Sequence, residues 1–205
     1  MHIPDGFLNI RILFLTNFLG LGFLAPIIHK VNKNVDSKRI PLLGIAAAFI
    51  FIAQLITFPV PGATSVHLQG AVLISVLLGP FSGTLVMAAV LFMLALLFQH
   101  GGVFSFGANF INNGLFACIF AYYFVKLFGK RFLLGCVIAG FMIPILSSLL
   151  CALELGVSGT VKLPYAFYAM GGAHFFAGIV ECIVTVFVLI SIKKIRPDLL
   201  ELKKL

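Results

Sequence analysis

The chain has 205 residues, of which 61% are apolar and only 10% are charged, and its formal net charge is +8. Soluble domains are about half apolar and about a quarter charged, so the composition excludes a soluble globular domain. The basic residues follow long apolar runs instead of sharing one face, so we expect a lipid bilayer as a partner and no nucleic acid.

Apolar runs that are long enough to form membrane helices predict an all-α integral membrane protein, which we treat as a single transmembrane domain over residues 1–205. Run lengths and Gly/Pro breaks place about seven helices in chain order. They are Ile10–Ile28, Ile40–Phe58, His67–Leu78, Phe81–Gln99, Phe110–Phe128, Phe132–Ala152 and Tyr168–Ile192. The third has about twelve residues and is about 18 Å long, so it cannot cross a hydrocarbon core of about 30 Å. We expect it to be tilted, re-entrant or supported by its neighbours.

Three groups of basic residues set the expected orientation, because the cytoplasmic loops of membrane proteins are rich in Lys and Arg. The groups lie within residues 30–39, within residues 126–131 and after Ile192. With these groups inside, the N-terminus lies outside and the C-terminus inside. The outer side then receives the N-terminal segment, residues 1–9, and three histidines, which are His2, His67 and His100.

The first two residues, Met1 and His2, can chelate a metal ion. The chain lacks the basic start of a cleaved signal peptide, so we expect Met1 to keep a free α-amine. That amine, the His2 backbone nitrogen and the His2 Nδ1 would supply three nitrogens in one plane. This donor set favours Ni(II) or Cu(II), with Co(II) possible, over Zn(II) or Mg(II). We expect the fourth nitrogen to come from His67, at the start of the third helix on the same side.

Four blocks of sequence extend this pattern along the chain. The first is Met1-His2-Ile3-Pro4-Asp5-Gly6-Phe7-Leu8, and the second is residues 59–70 followed by Leu78-Gly79-Pro80. The third is His100-Gly101-Gly102 with Gly107-Ala108-Asn109 and Asn112, and the fourth is His174, Gly178 and Glu181. Together they resemble the substrate-binding M component of cobalt and nickel energy-coupling-factor (ECF) transporters, the CbiM/NikM family. The chain departs from the family pattern at Val66 and Asn113, which leaves metal selectivity open.

The resemblance implies a transport subunit in the cell membrane and not an enzyme. It implies that Ni(II) or Co(II) is the transported ion, held by the Met1 amine, the His2 amide and imidazole, and the His67 imidazole. It also implies partners: a transmembrane T component, two ABC ATPases and, in some systems, a small auxiliary membrane subunit. The sequence has no Gly-Lys-Ser/Thr phosphate-binding loop of its own, so ATP hydrolysis is expected from the partners.

Other polar residues on the outer side have two interpretations each. His100 is more readily explained as an interfacial residue at a helix end than as a residue that gathers metal or shapes a lid. Asn109 and Asn112 flank the expected start of the fifth helix, where an Asn can cap the helix or can orient a metal-bound histidine through a hydrogen bond. Ser65 carries the same ambiguity.

His174 and Glu181 lie seven residues apart, about two helical turns, so they share one face of the last helix. Ionisable residues inside a membrane usually face the protein interior. They would either line the route of the ion or form a polar network that holds helices together, and the sequence does not decide between these roles.

Two rival functions remain. An intramembrane zinc metalloenzyme would use His67, His100 and His174 as ligands and Glu181 as a base, but these residues lack the spacing of a zincin helix. A vitamin-binding ECF subunit would need an aromatic-lined pocket, and it leaves the histidine at position 2 unexplained.

Nitrogen ligation predicts that acid weakens binding, because protonated amines and imidazoles do not bind metal. We expect affinity, measured by equilibrium titration, to fall as the pH drops below about 6.5. Binding that stays constant from about pH 8 to about pH 5 would contradict nitrogen ligation.

Overall fold

The computed structural model describes residues 2–60 and 65–201. These residues form eight α-helices, one two-stranded sheet and short helical turns. The helices are α1 (Ile10–Asn34), α2 (Ile40–Leu55), α3 (Ala71–Leu78), α4 (Pro80–Phe98), α5 (Phe106–Phe110), α6 (Ala117–Lys126), α7 (Phe132–Val157) and α8 (Leu163–Ile195). A π-helical turn, Ile111–Phe116, joins α5 to α6, and strands β1 (Thr57–Pro59) and β2 (Ser65–His67) lie between α2 and α3. Single 3-10 turns follow α1, α6 and α8.

Within the described residues, six helical segments are long and apolar enough to cross a membrane. The α-helical membrane class expected from the sequence is confirmed. The predicted count of seven crossings is not confirmed, because α3 is too short to count as one. The orientation stays a prediction. The segments are Ile10–Asn34, Ser37–Leu55, Pro80–Phe98, Phe106–Lys126, Gly129–Val157 and Leu163–Ile195.

Helix α3 is the short third helix, and all eight of its residues are buried. At 1.5 Å per residue it is about 12 Å long, so it cannot span a bilayer by itself. It packs against α4 and α6. The expectation that this helix is supported by its neighbours is therefore correct.

The start of α3 was predicted wrongly. His67 does not open the helix; it ends β2, where it pairs with Thr57 in an antiparallel ladder. Gly70 precedes the helix with φ of 78°, a left-handed conformation that favours glycine and interrupts a continuous helix. Helix α2 likewise ends at Leu55 and not at Phe58. Short apolar runs fit helix and strand equally well, so periodicity could not find this hairpin.

Helix α1 lies close to the start of α5. Asn17 donates a side-chain hydrogen bond to the Phe104 carbonyl at 2.7 Å and accepts one from the Gly107 N–H at 3.0 Å. A Cβ at Gly107 would lie 2.5 Å from the Thr16 carbonyl oxygen, closer than side chains approach backbone. This contact fixes the loop between α4 and α5, which carries His100.

We expect Gly107→Ala to destabilise the protein by about 1–3 kcal/mol, because the added methyl group would push α5 away from the backbone of α1. The matched control is Gly22→Ala in α1, where an added Cβ meets nothing within 4 Å. The control should be neutral or stabilising by up to about 1 kcal/mol, since alanine favours helix. Thermal unfolding of the detergent-solubilised protein measures both; equal midpoints for the two variants would contradict the close approach.

Candidate metal centre

The chain start is fixed by a pair of hydrogen bonds between Asn109 and Ile3. The Asn109 Oδ1 accepts from the Ile3 N–H at 2.7 Å, and the Asn109 Nδ2 donates to the Ile3 carbonyl at 3.0 Å. Ile3 is buried, with 1% of its surface exposed. Asn109 lies inside α5 and does not cap it, so the capping interpretation is wrong for this residue. Instead, its amide holds the backbone that follows His2.

Asp5 gives the N-terminal segment a second attachment. Its carboxylate accepts from the Val103 N–H at 3.0 Å and from the Ser105 N–H at 2.9 Å, and the Ser105 hydroxyl donates to the Pro4 carbonyl at 3.2 Å. No role for Asp5 was predicted from the sequence. Its acidic side chain near the N-terminus was the one sequence feature that could have indicated a role. Its partners could not be found from the sequence, because they lie about one hundred residues further along the chain.

His67 is held in one tautomer by its own loop. Its Nδ1 lies 3.0 Å from the Leu68 carbonyl oxygen, which can only accept, so Nδ1 carries the proton and Nε2 keeps its lone pair. The next two residues, Gln69 and Gly70, donate their backbone N–H groups to the Glu181 carboxyl group at 2.7 Å each. The loop after His67 is thus fixed to α8.

Three imidazoles meet between these two anchors. The His2 and His67 rings are stacked, with centroids 4.7 Å apart and planes at 21°. His100 lies edge-on to both, with centroids 4.6 Å from His2 and 5.2 Å from His67. One ligand nitrogen from each ring lies within 4.8 Å of the other two. The sequence favoured an interfacial role for His100, whereas the structure places it in the cluster.

Two nitrogens of this cluster lack a partner within the described residues. The Nε2 atoms of His2 and His67 are buried and make no hydrogen bond there. A buried unsatisfied polar group costs about 1–3 kcal/mol, so such atoms usually have a functional explanation. Imidazole nitrogens suit Ni(II), Co(II) and similar ions, and no carboxylate that would favour Ca(II) or Mg(II) belongs to the cluster.

Burial also controls the protonation of the cluster. It lowers the pKa of His2 and of His67 well below 6.5, and it lowers the pKa of the more exposed His100. The neutral rings therefore remain metal donors in weak acid. Protonation of the imidazoles would therefore weaken metal binding only below the ordinary histidine range, at about pH 6.5. Protonation of an α-amine, whose ordinary pKa is higher, would weaken metal binding above that range.

Three residues that the sequence placed near the site do not join the cluster. Asn112 lies in the π-helical turn and donates to Glu154 at 2.6 Å, and among the described residues it neither caps a helix nor bonds a histidine. His174 pairs its Nδ1 with the Met170 carbonyl of its own helix at 2.8 Å. Glu181 accepts hydrogen bonds from the loop after His67, and its two predicted roles, ion route or structural network, stay predictions.

Two predicted residues cannot be compared with the structure. Met1 lies outside the described residues, and the same holds for the side chain of Ser65, whose backbone lies in β2.

The two anchors of the site are linked by buried amides. Asn113 donates to the Asn109 carbonyl at 3.2 Å and accepts from the Gln69 side chain at 3.1 Å. Gln69 also reaches the Ser147 hydroxyl at 3.2 Å, and Gln54 donates to the Gln69 carbonyl at 2.8 Å. Asn113, noted in the sequence only as a departure from a family pattern, thus connects the helix that holds Ile3 to the loop that follows His67.

Comparison with known proteins agrees with the four sequence blocks. Residues 2–199 match the family described as the cobalt uptake substrate-specific transmembrane region, CbiM. The chain belongs to the CbiM family. A protein of Archaeoglobus fulgidus that carries the name of a fused nickel transport protein, NikMN, is 36% identical over 211 residues, covering 99% of this chain and 69% of that protein. The cobalt transport protein CbiM of Sorangium cellulosum is 29% identical, covering 98% of this chain and 95% of that protein.

A solved structure extends the likeness to three dimensions. The crystal structure of a truncated transition metal transporter has a TM-score of 0.88 and 31% identity to this CbiM-family chain. The match covers 95% of this chain and 99% of the other. The predicted family and the multi-pass helical membrane architecture are both confirmed.

We expect Asn109→Leu in this CbiM-family chain to release the N-terminal segment, because the Ile3 N–H and carbonyl would lose their buried partner at a cost of about 1–3 kcal/mol. Hydrogen exchange of the 2–8 peptide should accelerate roughly ten- to hundredfold. Asn34→Leu is the control, since Asn34 is exposed at the far end of α1 and bonds only the Lys30 carbonyl of its own helix. Equal exchange in both variants would show that Asn109 does not hold the segment.

Proposed function

We propose that this chain is the ion-capturing membrane subunit of an energy-coupling-factor import system for Ni(II) or Co(II). The observation that supports this most is that the His2 and His67 imidazoles are stacked, and that the buried His67 Nε2 has no hydrogen-bond partner among the described residues. Residues 65 positions apart in the chain are brought together there, and no described residue donates a hydrogen bond to the His67 Nε2 lone pair. A nitrogen-preferring ion from outside the cell membrane would bind that lone pair.

The proposed complex is planar and uses four nitrogens. They are the Met1 α-amine, the His2 backbone nitrogen, the His2 imidazole and the His67 Nε2. The bond from the His67 Nδ1 to Leu68 supports the last assignment, because it leaves Nε2 as the only free lone pair on that ring. The pairing of Ile3 with Asn109 supports the others, because it holds the backbone next to the His2 amide. The bound amide nitrogen loses its proton to water, which favours Ni(II) and Co(II) over Zn(II).

The partners proposed for this subunit are a transmembrane T component, two ABC ATPases and, in some systems, a small auxiliary membrane subunit. The chain captures the ion outside, and ATP hydrolysis by the partners drives its release inside. The basic groups after α1, α6 and α8 would face the cytoplasm, where the ATPases lie.

The rival enzyme is less consistent with the geometry. His174 is not part of the metal-capable cluster found among the described residues, and the Glu181 carboxyl group is occupied by two backbone N–H groups. A hydrolytic zinc site needs a base that is free to act on water. The vitamin-binding rival leaves without a function the buried His67 Nε2, which has no hydrogen-bond partner among the described residues.

We expect one extra residue before Met1 to abolish the planar Ni(II) complex, because it moves the α-amine out of the chelate while every side chain stays. The Ni(II) affinity should fall at least about a hundredfold, as expected when a chelating ligand is lost. The control is the same residue added after Leu205. If the N-terminally extended protein shows the same visible spectrum and affinity as the control, the amine is not a ligand.

We also expect His2→Ala and His67→Ala each to remove the visible d–d spectrum of the planar Ni(II) complex, because each variant lacks one in-plane nitrogen. His29→Ala is the matched control, since His29 is exposed on α1 and lies outside the cluster. A spectrum that survives in either site variant would rule that residue out as a ligand.

A further inference from the structure

We infer that His100 completes a three-imidazole capture site with His2 and His67, which holds an incoming divalent transition-metal ion before the planar chelate closes. The inference rests on the proposed function, since the ion it holds is the transported one. In this role His100 speeds the binding of the transported ion and helps to exclude competing ions. It is not a ligand in the final planar complex.

The backbone around His100 is built to place its ring beside His2. Gln99 ends α4 in a left-handed conformation, with φ of 51°, and the His100 N–H bonds back to the Leu94 carbonyl at 3.1 Å. Gly101 follows with φ of 92°, and a Cβ there would lie 3.2 Å from the His2 Cβ. Only glycine combines this conformation with such a close neighbour. The turn therefore brings the loop and the chain start into direct contact.

The ring positions suit one metal ion. The ligand nitrogens of the three imidazoles lie within 4.8 Å of one another. Nitrogens bind zinc and similar ions at about 2.0–2.1 Å, so three donors in a tetrahedral arrangement around one ion lie about 3.4 Å apart. Side-chain rotations that shift each nitrogen by up to about 1 Å would bring the three nitrogens to bonding distance. The His100 ring is inclined at 81° to the His2 ring and at 74° to the His67 ring, so its lone pair can reach an ion from a direction that neither stacked ring uses.

Burial distinguishes the three rings. His67 is buried, with 7% of its surface exposed, whereas His2 and His100 are partly exposed. The Nε2 atoms of His2 and His67 are both buried, so an ion that arrives from solvent meets the more exposed His100 first. Among the described residues, the His100 side chain contacts the other two rings of the cluster and forms no hydrogen bond that would explain its position.

The planar chelate itself needs such a step. An amide nitrogen gives up its proton only when a metal ion is already held next to it, so the ion must first bind donors that are ready. Three neutral imidazoles are such donors. The His2 amide N–H bond then breaks, its proton passes to water, the metal–amide bond forms, and the bond to His100 is released as the plane closes.

This order of binding steps also discriminates between metal ions. Zn(II) is satisfied by three histidines and one water in a tetrahedral site, and it gains little from a planar array. It would stop at the capture site and leave again, whereas Ni(II) or Co(II) would proceed. Neutral imidazoles also discriminate against Ca(II) and Mg(II), which prefer oxygen donors.

The test compares His100→Ala and His100→Gln with the unaltered chain and with the His29→Ala control, all with the native start. Zn(II) affinity is measured by calorimetric titration, Ni(II) affinity by equilibrium titration, and Ni(II) loading by stopped-flow growth of the planar spectrum. We expect both His100 variants to lose at least about tenfold in Zn(II) affinity and in loading rate. The final Ni(II) affinity should change less than about threefold, because His100 is not in the closed complex.

Two results would overturn the inference. Zn(II) affinity and loading rate that match the control in both variants would show that His100 does not bind the ion. An equal loss of final Ni(II) affinity would show that His100 is a permanent ligand. The His100→Gln variant keeps a side chain of similar size, so it replaces His100→Ala in the comparison if the Ala variant folds poorly. Thermal unfolding of both variants measures whether folding is affected. If the unaltered chain forms no planar Ni(II) spectrum, the proposed chelate fails, and the capture site is then decided by Zn(II) titration alone.

Discussion

The pair of hydrogen bonds between Asn109 and Ile3 is the contact on which the site depends. Chain termini are usually poorly ordered unless something ties them down. Here a buried amide satisfies both backbone groups of Ile3, and Asp5 adds two more bonds to the loop that follows His100. Breaking the first pair would leave buried polar groups unsatisfied, so the start of the chain stays beside the histidines and becomes part of the structure.

The other half of the site is held by a different helix. Glu181 of α8 accepts two backbone N–H groups from the loop after His67, while Asn109 belongs to α5. Gln69 and Asn113 join these two anchors through side-chain amides. The separation of the His2 and His67 rings therefore depends on the relative positions of α5 and α8, which the buried network connects. The same few polar residues therefore stabilise the fold and position the histidines of the site.

The sequence predicted the membrane class, the short third helix and the family, because apolar runs and local motifs report them directly. It could not find the β1–β2 hairpin, since three-residue strands leave no periodicity, and it therefore placed His67 on a helix. It assigned no role to Asp5, and it left Asn109 as either a helix cap or a residue that orients a metal-bound histidine, because the partners of both residues lie about one hundred residues away. It favoured an interfacial role for His100, because only the tertiary turn at Gly101 brings that ring to His2.

X-ray absorption at the nickel edge of the Ni(II)-loaded chain, with an unmodified start, is the most direct measurement of the central claim. Four nitrogens in one plane produce a four-coordinate signature with no axial ligands, and this is the spectrum we expect. A six-coordinate octahedral signature rich in oxygen would contradict the account, because it would mean that the chain start and the two stacked imidazoles do not enclose the ion.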